Sequence, residues 1–253
     1  MLRYFAYDYH GAPFVLFGIW HLCALLVIVL GNLAFLGLRN TSEKSRRLVR
    51  WVMVGVLFLA DFSWQAWNVF WGHWSLKTTL PLQLCSVMMF LAWFMLIFKN
   101  YRLYEFVYFI GIGGGIQALL TPTLGIYGFP HFRFFQIFIS HGLLLSSGFY
   151  MTIVEGFRPT WKSLLRVAIG INLYLLLIVG VNHFLGSNYL FIAYKPATAS
   201  LLDLLPAWPW YIPWIEIIGL IVCLVLYLPF ALSSSRSRSL PVTNHDTRSQ
   251  RIA

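Results

Sequence analysis

Long apolar segments recur along this 253-residue chain and restrict it to one class of fold. A membrane-spanning helix needs about 20 consecutive, mostly apolar residues. A scan with a window of that length predicts seven spans: Pro13–Leu38, Val49–Phe70, Leu82–Phe98, Glu105–Leu120, Phe134–Val154, Arg166–Leu185 and Ile212–Leu232. The pattern predicts an all-α membrane protein, a seven-transmembrane-helix bundle that forms a single domain over residues 1–232.

The composition of the chain agrees with a membrane protein and excludes other classes. Apolar residues make up 59% of the sequence and charged residues only 10%, whereas an ordinary soluble domain has about 25% charged residues. A net charge of +10 would suit a nucleic-acid partner. The basic residues, however, lie between the apolar segments, so we attribute them to membrane topology and predict no nucleic-acid partner.

Lys and Arg residues are distributed unequally between the two sides of the predicted bundle. Fourteen of the 18 lie on the side that carries the loop at residues 39–50 and the C-terminal tail. Because cytoplasmic loops are enriched in Lys and Arg, we predict an extracellular N-terminus and a cytoplasmic C-terminus. The segment 233–253 is polar and rich in Ser and Arg, and is predicted to be a disordered cytoplasmic tail.

Several ionisable side chains fall inside the apolar segments, although each costs roughly 2.5–3.5 kcal/mol to insert. The predicted topology puts them in the outer half of the membrane: His21, Asp61, His141, His183 and Glu216. Asp61, Gln65 and Asn68 also share one face of the second helix, as their spacing indicates. One interpretation is a hydrogen-bond network that holds helices together. The other is a polar chamber that opens toward the outer leaflet.

The three cysteines all lie in apolar segments, so no structural disulfide is expected. Cys23 and Cys223 are interpreted as packing residues. Pro81 suits the first turn of a helix, which would put Cys85 near the positive end of the helix dipole. That field favours a thiolate, whereas burial in hydrocarbon favours the thiol. Cys85 therefore needs a neighbouring base, and His141, at a similar predicted depth, is the candidate.

Other sequence signals are structural or absent. Gly111 and Gly115 form a small-residue step that predicts close helix packing. The histidines are scattered without the spacings of zinc sites, and no phosphate-binding or dinucleotide-binding loop occurs. We therefore predict no metal and no cofactor. The sequence carries no signal for an oligomeric state.

Three stretches of the chain together resemble a known family. They are Leu80-Pro81-Leu82-Gln83-Leu84-Cys85-Ser86, the segment 129–142 from Phe-Pro-His to Ser-His-Gly, and the segment 188–211 that ends in Trp-Pro-Trp-Tyr. Their order and spacing resemble the YwaF-like family of bacterial integral membrane proteins over residues 10–230. That family is similar in turn to a eukaryotic multi-pass acyltransferase family that remodels ether phospholipids.

The resemblance implies a multi-pass protein of the bacterial plasma membrane and a catalytic pair. Cys85 and His141 occupy the matching motif positions, 56 residues apart. Cys85 would be the acyl-accepting nucleophile and His141 the general base. One position departs from the family pattern, because Gln83 stands where many of the bacterial relatives have His.

The function predicted on this basis is a lipid acyltransferase or transacylase whose substrates are membrane phospholipids. Substrate-binding or supporting roles are predicted for Asp61, Gln65, Gln83, His21, Glu216 and Lys195. Lys195 shares the outer side with Arg133 and Lys77, and these cations could hold a phosphate headgroup. Two alternatives stay open: a transporter or channel that uses the polar chamber, and a non-catalytic membrane sensor whose polar residues only join helices.

Overall fold

The computed structural model describes residues 2–196 and 201–238, and within them it contains helices and loops but no strand. The long helices are α1 (Ile19–Leu38), α2 (Glu43–Phe70), α3 (Leu84–Phe98), α4 (Tyr101–Leu120), α5 (Phe132–Ile153), α6 (Trp161–Leu185) and α7 (Tyr211–Arg238). Within α4, a π-helical turn at Val107–Gly111 joins two α-helical parts, Tyr101–Phe106 and Ile112–Leu120.

Six of these helices are long and apolar enough to cross a membrane, which confirms the all-helical membrane fold. The exception is α3, an apolar helix of only 15 residues, or about 22 Å. All seven predicted segments are helical and occur in the predicted order. The orientation of the bundle in the membrane stays a prediction.

The predicted helix starts differ from the observed ones where polar residues open a helix. Ser42 caps α2 by accepting from the amide of Ser45, Asn100 caps α4, and Thr160 forms a capping box with Ser163 at the start of α6. These helices therefore begin four to six residues before the predicted apolar segments. A hydropathy window misses such turns because capping side chains are polar.

The chain departs from prediction at two further boundaries. Residues 13–18 lie outside α1, which begins after Gly18. At the other end of the chain, α7 continues to Arg238, past the expected boundary at Leu232. The remainder of the predicted tail, residues 239–253, lies outside the described residues.

The connections divide between two faces of the bundle. The N-terminal face is formed by residues 2–18, 71–83, 121–131, 186–196 and 201–210. The C-terminal face is formed by residues 39–42, 99–100 and 154–160. On the N-terminal face, the carbonyl of Phe5 accepts hydrogen bonds from Trp67 and Trp71. On the C-terminal face, the Tyr150 hydroxyl donates to the carbonyl of Arg46.

Helix α5 is the centre of the bundle and the most buried of the long helices. It packs against α1, α2, α3 and α4. A Cβ at Gly111 would lie 3.1 Å from Leu144, and one at Gly115 would lie 3.3 Å from Leu145. The predicted packing role of this glycine step is therefore confirmed. Helix α7 is the least buried and lies at the edge of the bundle.

Candidate functional site

The segment before α3 enters the interior of the bundle. Tyr174 lies eleven residues before the end of α6, about 16 Å along the helix, and its hydroxyl donates to the carbonyl of Leu82 at 2.7 Å. Nearer the N-terminal face, the Gln65 amide donates to the carbonyl of Thr79. Helix α3 is short because it begins inside the bundle, after this descending segment.

Cys85 is the second residue of α3. The expected position of Pro81 in the first helical turn is wrong, because Gln83 is the N-cap and Pro81 precedes the helix. The helical hydrogen bonds begin with the amide of Val87, which donates to the Gln83 carbonyl at 3.1 Å. The amides of residues 84–86 have no acceptor among the described residues, as is usual for a first turn that no side chain caps.

Cys85 and His141 lie against consecutive glycines of α4. A Cβ at Gly114 would be 3.5 Å from the Cys85 sulfur, and a Cβ at Gly115 would be 3.4 Å from the main-chain oxygen of His141. Both residues are partly exposed although they lie within the bundle, and so is every residue from Leu80 to Val87. The chain around the thiol is therefore less tightly packed than Met88 and Met89, the next two residues of α3, which are buried.

The His141 ring is held by its own helix. Its Nδ1 lies 3.1 Å from the carbonyl of Ile137 and 3.2 Å from the hydroxyl of Ser140. A carbonyl can only accept, so this contact assigns the proton to Nδ1 and leaves the lone pair on Nε2. Within the part of the chain that the structure describes, no hydrogen bond joins His141 to Cys85. The structure puts both residues of the predicted pair beside the glycines of α4, without a hydrogen bond between them.

Asp61 is 6% exposed, on the interior face of α2. Next to it, the carbonyl of Ala60 accepts from the amide of Gln136 on α5. Across residues 2–196 and 201–238, no hydrogen bond or ion pair engages the Asp61 carboxylate. It is thus a buried acid without a protein partner, in the half of the bundle that contains Cys85.

Gln65 and Gln83 both support the descending segment. Gln65 donates to Thr79 and accepts from the indole N–H of Trp74 at 2.9 Å. The side-chain oxygen of Gln83 accepts from the amide of Leu190 at 3.2 Å. The two predicted supporting residues therefore hold the chain that leads to Cys85.

The structure does not bring the other predicted residues to the thiol. His21 is buried, but its Nδ1 accepts from the amide of Phe17 and its Nε2 lies 2.8 Å from the carbonyl of Leu119. His21 therefore joins α1 to α4. Glu216 is exposed on α7, in a run of exposed residues at 213–222, and His183 is exposed near the end of α6.

Tyr189 and Asn182 were not singled out from the sequence, yet they position the segment before Cys85. The Tyr189 hydroxyl accepts from the amide of Leu80 and donates to the carbonyl of Leu76. Asn182 binds both the amide and the carbonyl of Tyr189. Asn188-Tyr189 belongs to the third motif, but a loop tyrosine gives no local signal of a contact more than 100 residues away.

The described residues provide no metal site and no disulfide. No three His, Cys, Asp or Glu side chains gather where they could hold a metal ion, counting only the residues described. The three cysteines are free thiols: Cys23 is exposed, Cys85 partly exposed and Cys223 buried.

The fold and site define a multi-pass helical membrane protein with a cysteine at the start of an internal helix. A family profile matches residues 16–227, and the chain belongs to the TMEM164 family. The matched region includes Cys85 and His141. No curated protein and no solved structure matches the chain.

Proposed function

We propose that this protein is a membrane acyltransferase that moves a fatty acyl chain between phospholipids through a thioester on Cys85. The observation that carries the proposal is the position of the Cys85 thiol, in the first turn of a helix that begins inside the bundle. The motif resemblance to YwaF-like proteins and to ether-phospholipid acyltransferases supports it. The Lys and Arg distribution favours a site in the outer half of the membrane, and the resemblance implies that this is a bacterial plasma membrane.

His141 is the general base of the proposed reaction. Its Nε2 accepts the thiol proton of Cys85 while the sulfur attacks the ester carbonyl of a donor phospholipid. The tetrahedral intermediate expels the lysolipid alkoxide, which takes the proton back from His141 and leaves as an alcohol. The acyl chain remains on Cys85 as a thioester.

The second half of the reaction reverses these roles with another lipid. His141 removes the proton from an acceptor hydroxyl, whose oxygen attacks the thioester. The Cys85 thiolate leaves and recovers the proton from His141. A site inside the bilayer excludes most water, which favours transfer to a lipid over hydrolysis.

The first turn of α3 supplies donors for the oxyanion. The amides of Cys85 and Ser86 are adjacent to the nucleophile and carry no acceptor among the described residues. Backbone amides at a helix N-terminus stabilise negative charge through both hydrogen bonds and the helix dipole. An ester carbonyl attacked by Cys85 would develop its charge beside them.

Catalysis requires the thiol and the imidazole to meet when substrate binds. Catalytic hydrogen bonds are often long or absent before substrate is present. Gly114 presents no side chain to the sulfur, so nothing at that position blocks rotation of the Cys85 side chain. The carbonyl of Ile137 fixes the His141 tautomer, which is the role of Asp in Ser-His-Asp enzymes and of Asn in papain-like cysteine proteases.

The direct test uses purified protein and a phospholipid labelled in its acyl chain. We expect a hydroxylamine-labile adduct that is lost in Cys85→Ala, retained in Cys23→Ala and formed more slowly in His141→Ala. Cys23 is an exposed thiol of the same chain and is therefore the matched control. An adduct that persists without Cys85 would refute the mechanism.

The environment of Asp61 favours a second candidate function, the transport of protons or cations. A buried carboxylate without a partner is typical of an ion pathway in a membrane protein. That function predicts uptake into liposomes that is lost in Asp61→Asn and retained in Cys85→Ala. The acyltransferase predicts the opposite dependence, so these two variants separate the candidates.

A further inference from the structure

The structure distinguishes among three cations of the N-terminal face. Lys195 donates to the carbonyl of Leu205 and lies 5.7 Å from the Tyr211 ring. Lys77 is exposed. Arg133, by contrast, is partly buried at the start of α5, with its guanidinium 3.7 Å above the Trp64 ring. Of the three, Arg133 has the environment expected of a binding site.

Arg133 has no acidic partner among the described residues. Within the described residues, its guanidinium makes one hydrogen bond, from Nη1 to the side-chain oxygen of Gln136. The titratable side chains around it are Tyr7, Tyr127 and His131, and none of them is negatively charged at pH 7. A partly buried guanidinium without a counter-charge is costly. Its remaining N–H donors suit an anion, and a phosphate accepts two of them at once.

The guanidinium is held rigidly by a stack of rings. Trp64 lies 5.5 Å from Trp67, Trp67 lies 5.1 Å from Tyr7, and Tyr7 lies 3.6 Å from His73, with every pair close to parallel. Trp67 is fixed in turn by its bond to the Phe5 carbonyl. Because the stack fixes the guanidinium in advance, an anion that binds it loses little free energy to ordering.

The separation of Arg133 and His141 along α5 matches the separation in depth between the phosphate and the acyl esters of a phospholipid. They are eight residues apart, about 12 Å along the helix. The buried polar side chains of Gln136 and Ser140 lie between them in sequence. In a phospholipid the phosphate lies in the polar headgroup region and the acyl esters lie nearer the hydrocarbon core. Arg133, at the end of the helix, has the depth of a phosphate.

We infer that Arg133 binds the phosphate of the lipid substrate and so selects phospholipids over neutral glycerides as donors. The inference rests on the proposed function for the identity of the donor, but phosphate binding by Arg133 is measurable without turnover. A free phosphate ion has the same chemistry. The position of Arg133 on a membrane-spanning helix favours the lipid headgroup.

Binding is measured first, in a Cys85→Ala background that cannot turn over. The probes are a fluorescent phosphatidylcholine, a diacylglycerol with the same acyl chains and label, and inorganic phosphate as competitor. We expect Arg133→Gln to weaken phosphatidylcholine binding by roughly 10- to 100-fold, the loss of a charged hydrogen-bond partner, and Arg133→Lys to weaken it less. Arg3→Gln removes one exposed positive charge from the same face and is the matched control.

Three outcomes would overturn the inference. Arg133→Gln protein could bind phosphatidylcholine as tightly as its parent. It could lose affinity for phosphatidylcholine and for diacylglycerol equally, which is the result that a folding defect would produce. Inorganic phosphate at millimolar concentration could displace the phospholipid, which would make a free anion the ligand.

Turnover is measured second, in protein with Cys85 intact. We expect the ratio of kcat/KM for phosphatidylcholine to that for diacylglycerol to fall at least tenfold in Arg133→Gln, through KM. If no donor acylates Cys85 in the unsubstituted protein, the proposed function fails. The binding measurement then still decides whether Arg133 holds phosphate.

Discussion

The buried carboxylates of the two halves of the bundle differ in one respect. Toward the C-terminal face, fully buried Glu105 binds Arg166 and the Ser163 hydroxyl, and the partly buried Glu155 binds Lys99 at 2.7 Å. Toward the N-terminal face, Asp61 is almost as buried and has no partner among the described residues. Paired acids join helices, whereas an unpaired acid adds a cost that a purely structural residue would not carry.

The same contrast holds for the cations and for the helix starts. Arg166 is paired with Glu105, whereas Arg133 has no acid among the residues described. Helix α6 begins with a complete capping box, whereas α3 begins with uncapped amides beside Cys85. Asp61, Arg133 and the first amides of α3 are therefore available to bind something other than protein.

The largest effect that we predict from the contrast between paired and unpaired acids is on stability. Arg166→Ala removes the guanidinium that donates to both Glu105 oxygens and leaves the buried carboxylate with Ser163 and the more distant Arg102, 3.8 Å away, so we expect a marked drop in the unfolding midpoint. Thermal unfolding of the purified protein in detergent measures it. The matched variant Asp61→Asn removes a charge that has no partner, and its unfolding midpoint should equal or exceed that of the unsubstituted protein. A large loss in Asp61→Asn would break the contrast.

The next effect concerns access to the thiol. Gly114→Leu puts a branched side chain beside the Cys85 sulfur, so we expect its maleimide labelling, measured in a Cys23→Ala background, to slow at least tenfold. Gly114→Ala should have a small effect, because its Cβ would make an ordinary 3.5 Å contact. Gly31→Leu, at a position with no neighbour within 4 Å, is the control. Unchanged labelling in Gly114→Leu would show that the thiol opens elsewhere.

A smaller effect is expected at the loop that holds α3 in place. Tyr189→Phe removes the hydroxyl that bonds to both Leu76 and Leu80, and the loss of these two hydrogen bonds costs about 1–3 kcal/mol. Because the change displaces the start of α3, kcat for acyl transfer should fall more than KM rises. An activity loss seen in KM only would assign Tyr189 to substrate binding.

The smallest effect is a pH dependence at the start of α5. His131 is fully buried, with Nε2 beside the carbonyl of Ala6, and this burial lowers the pKa of His131. The unfolded chain, in which His has a pKa of about 6.5, takes up the proton first. The contribution of His131 to the free energy of unfolding is therefore complete above that pH. It declines below it, by at most about 1.4 kcal/mol per pH unit.

Unfolding midpoints between pH 7.5 and pH 5 measure this dependence. His131→Asn should reduce the slope, since Asn can still cap α5 and does not titrate in this range. An equal slope in His131→Asn would assign the pH dependence to another group.

The sequence predicted the helices well because hydropathy reports burial in lipid directly. It missed the start of α3, since a window of apolar residues looks the same whether its helix begins at the membrane surface or inside the bundle. Only the bond between Tyr174 and Leu82 reveals the depth. The same applies to Arg133, because the rings that stack beside its guanidinium come from two other segments, one at Tyr7 and one at residues 64–73.

For the candidate site, the motif identifies the two candidate residues and the structure shows their surroundings. The Cys85–His141 pair came from a motif resemblance, and residue chemistry without it left the pairing open. The sequence grouped His21 with the site by depth, but depth does not specify direction, and both His21 ring nitrogens bind backbone elsewhere. Gly111 and Gly115 were correctly assigned to packing, whereas the place of Gly114 beside the thiol required coordinates.

The most direct test of the central claim is to locate the acyl group after incubation with a phospholipid. Peptide mass spectrometry of the quenched protein should find one acyl chain on the peptide that contains Cys85, removable by neutral hydroxylamine and diminished in His141→Ala. An acyl chain found only on another residue, or an unmodified Cys85 in protein that transfers acyl chains, would contradict the account.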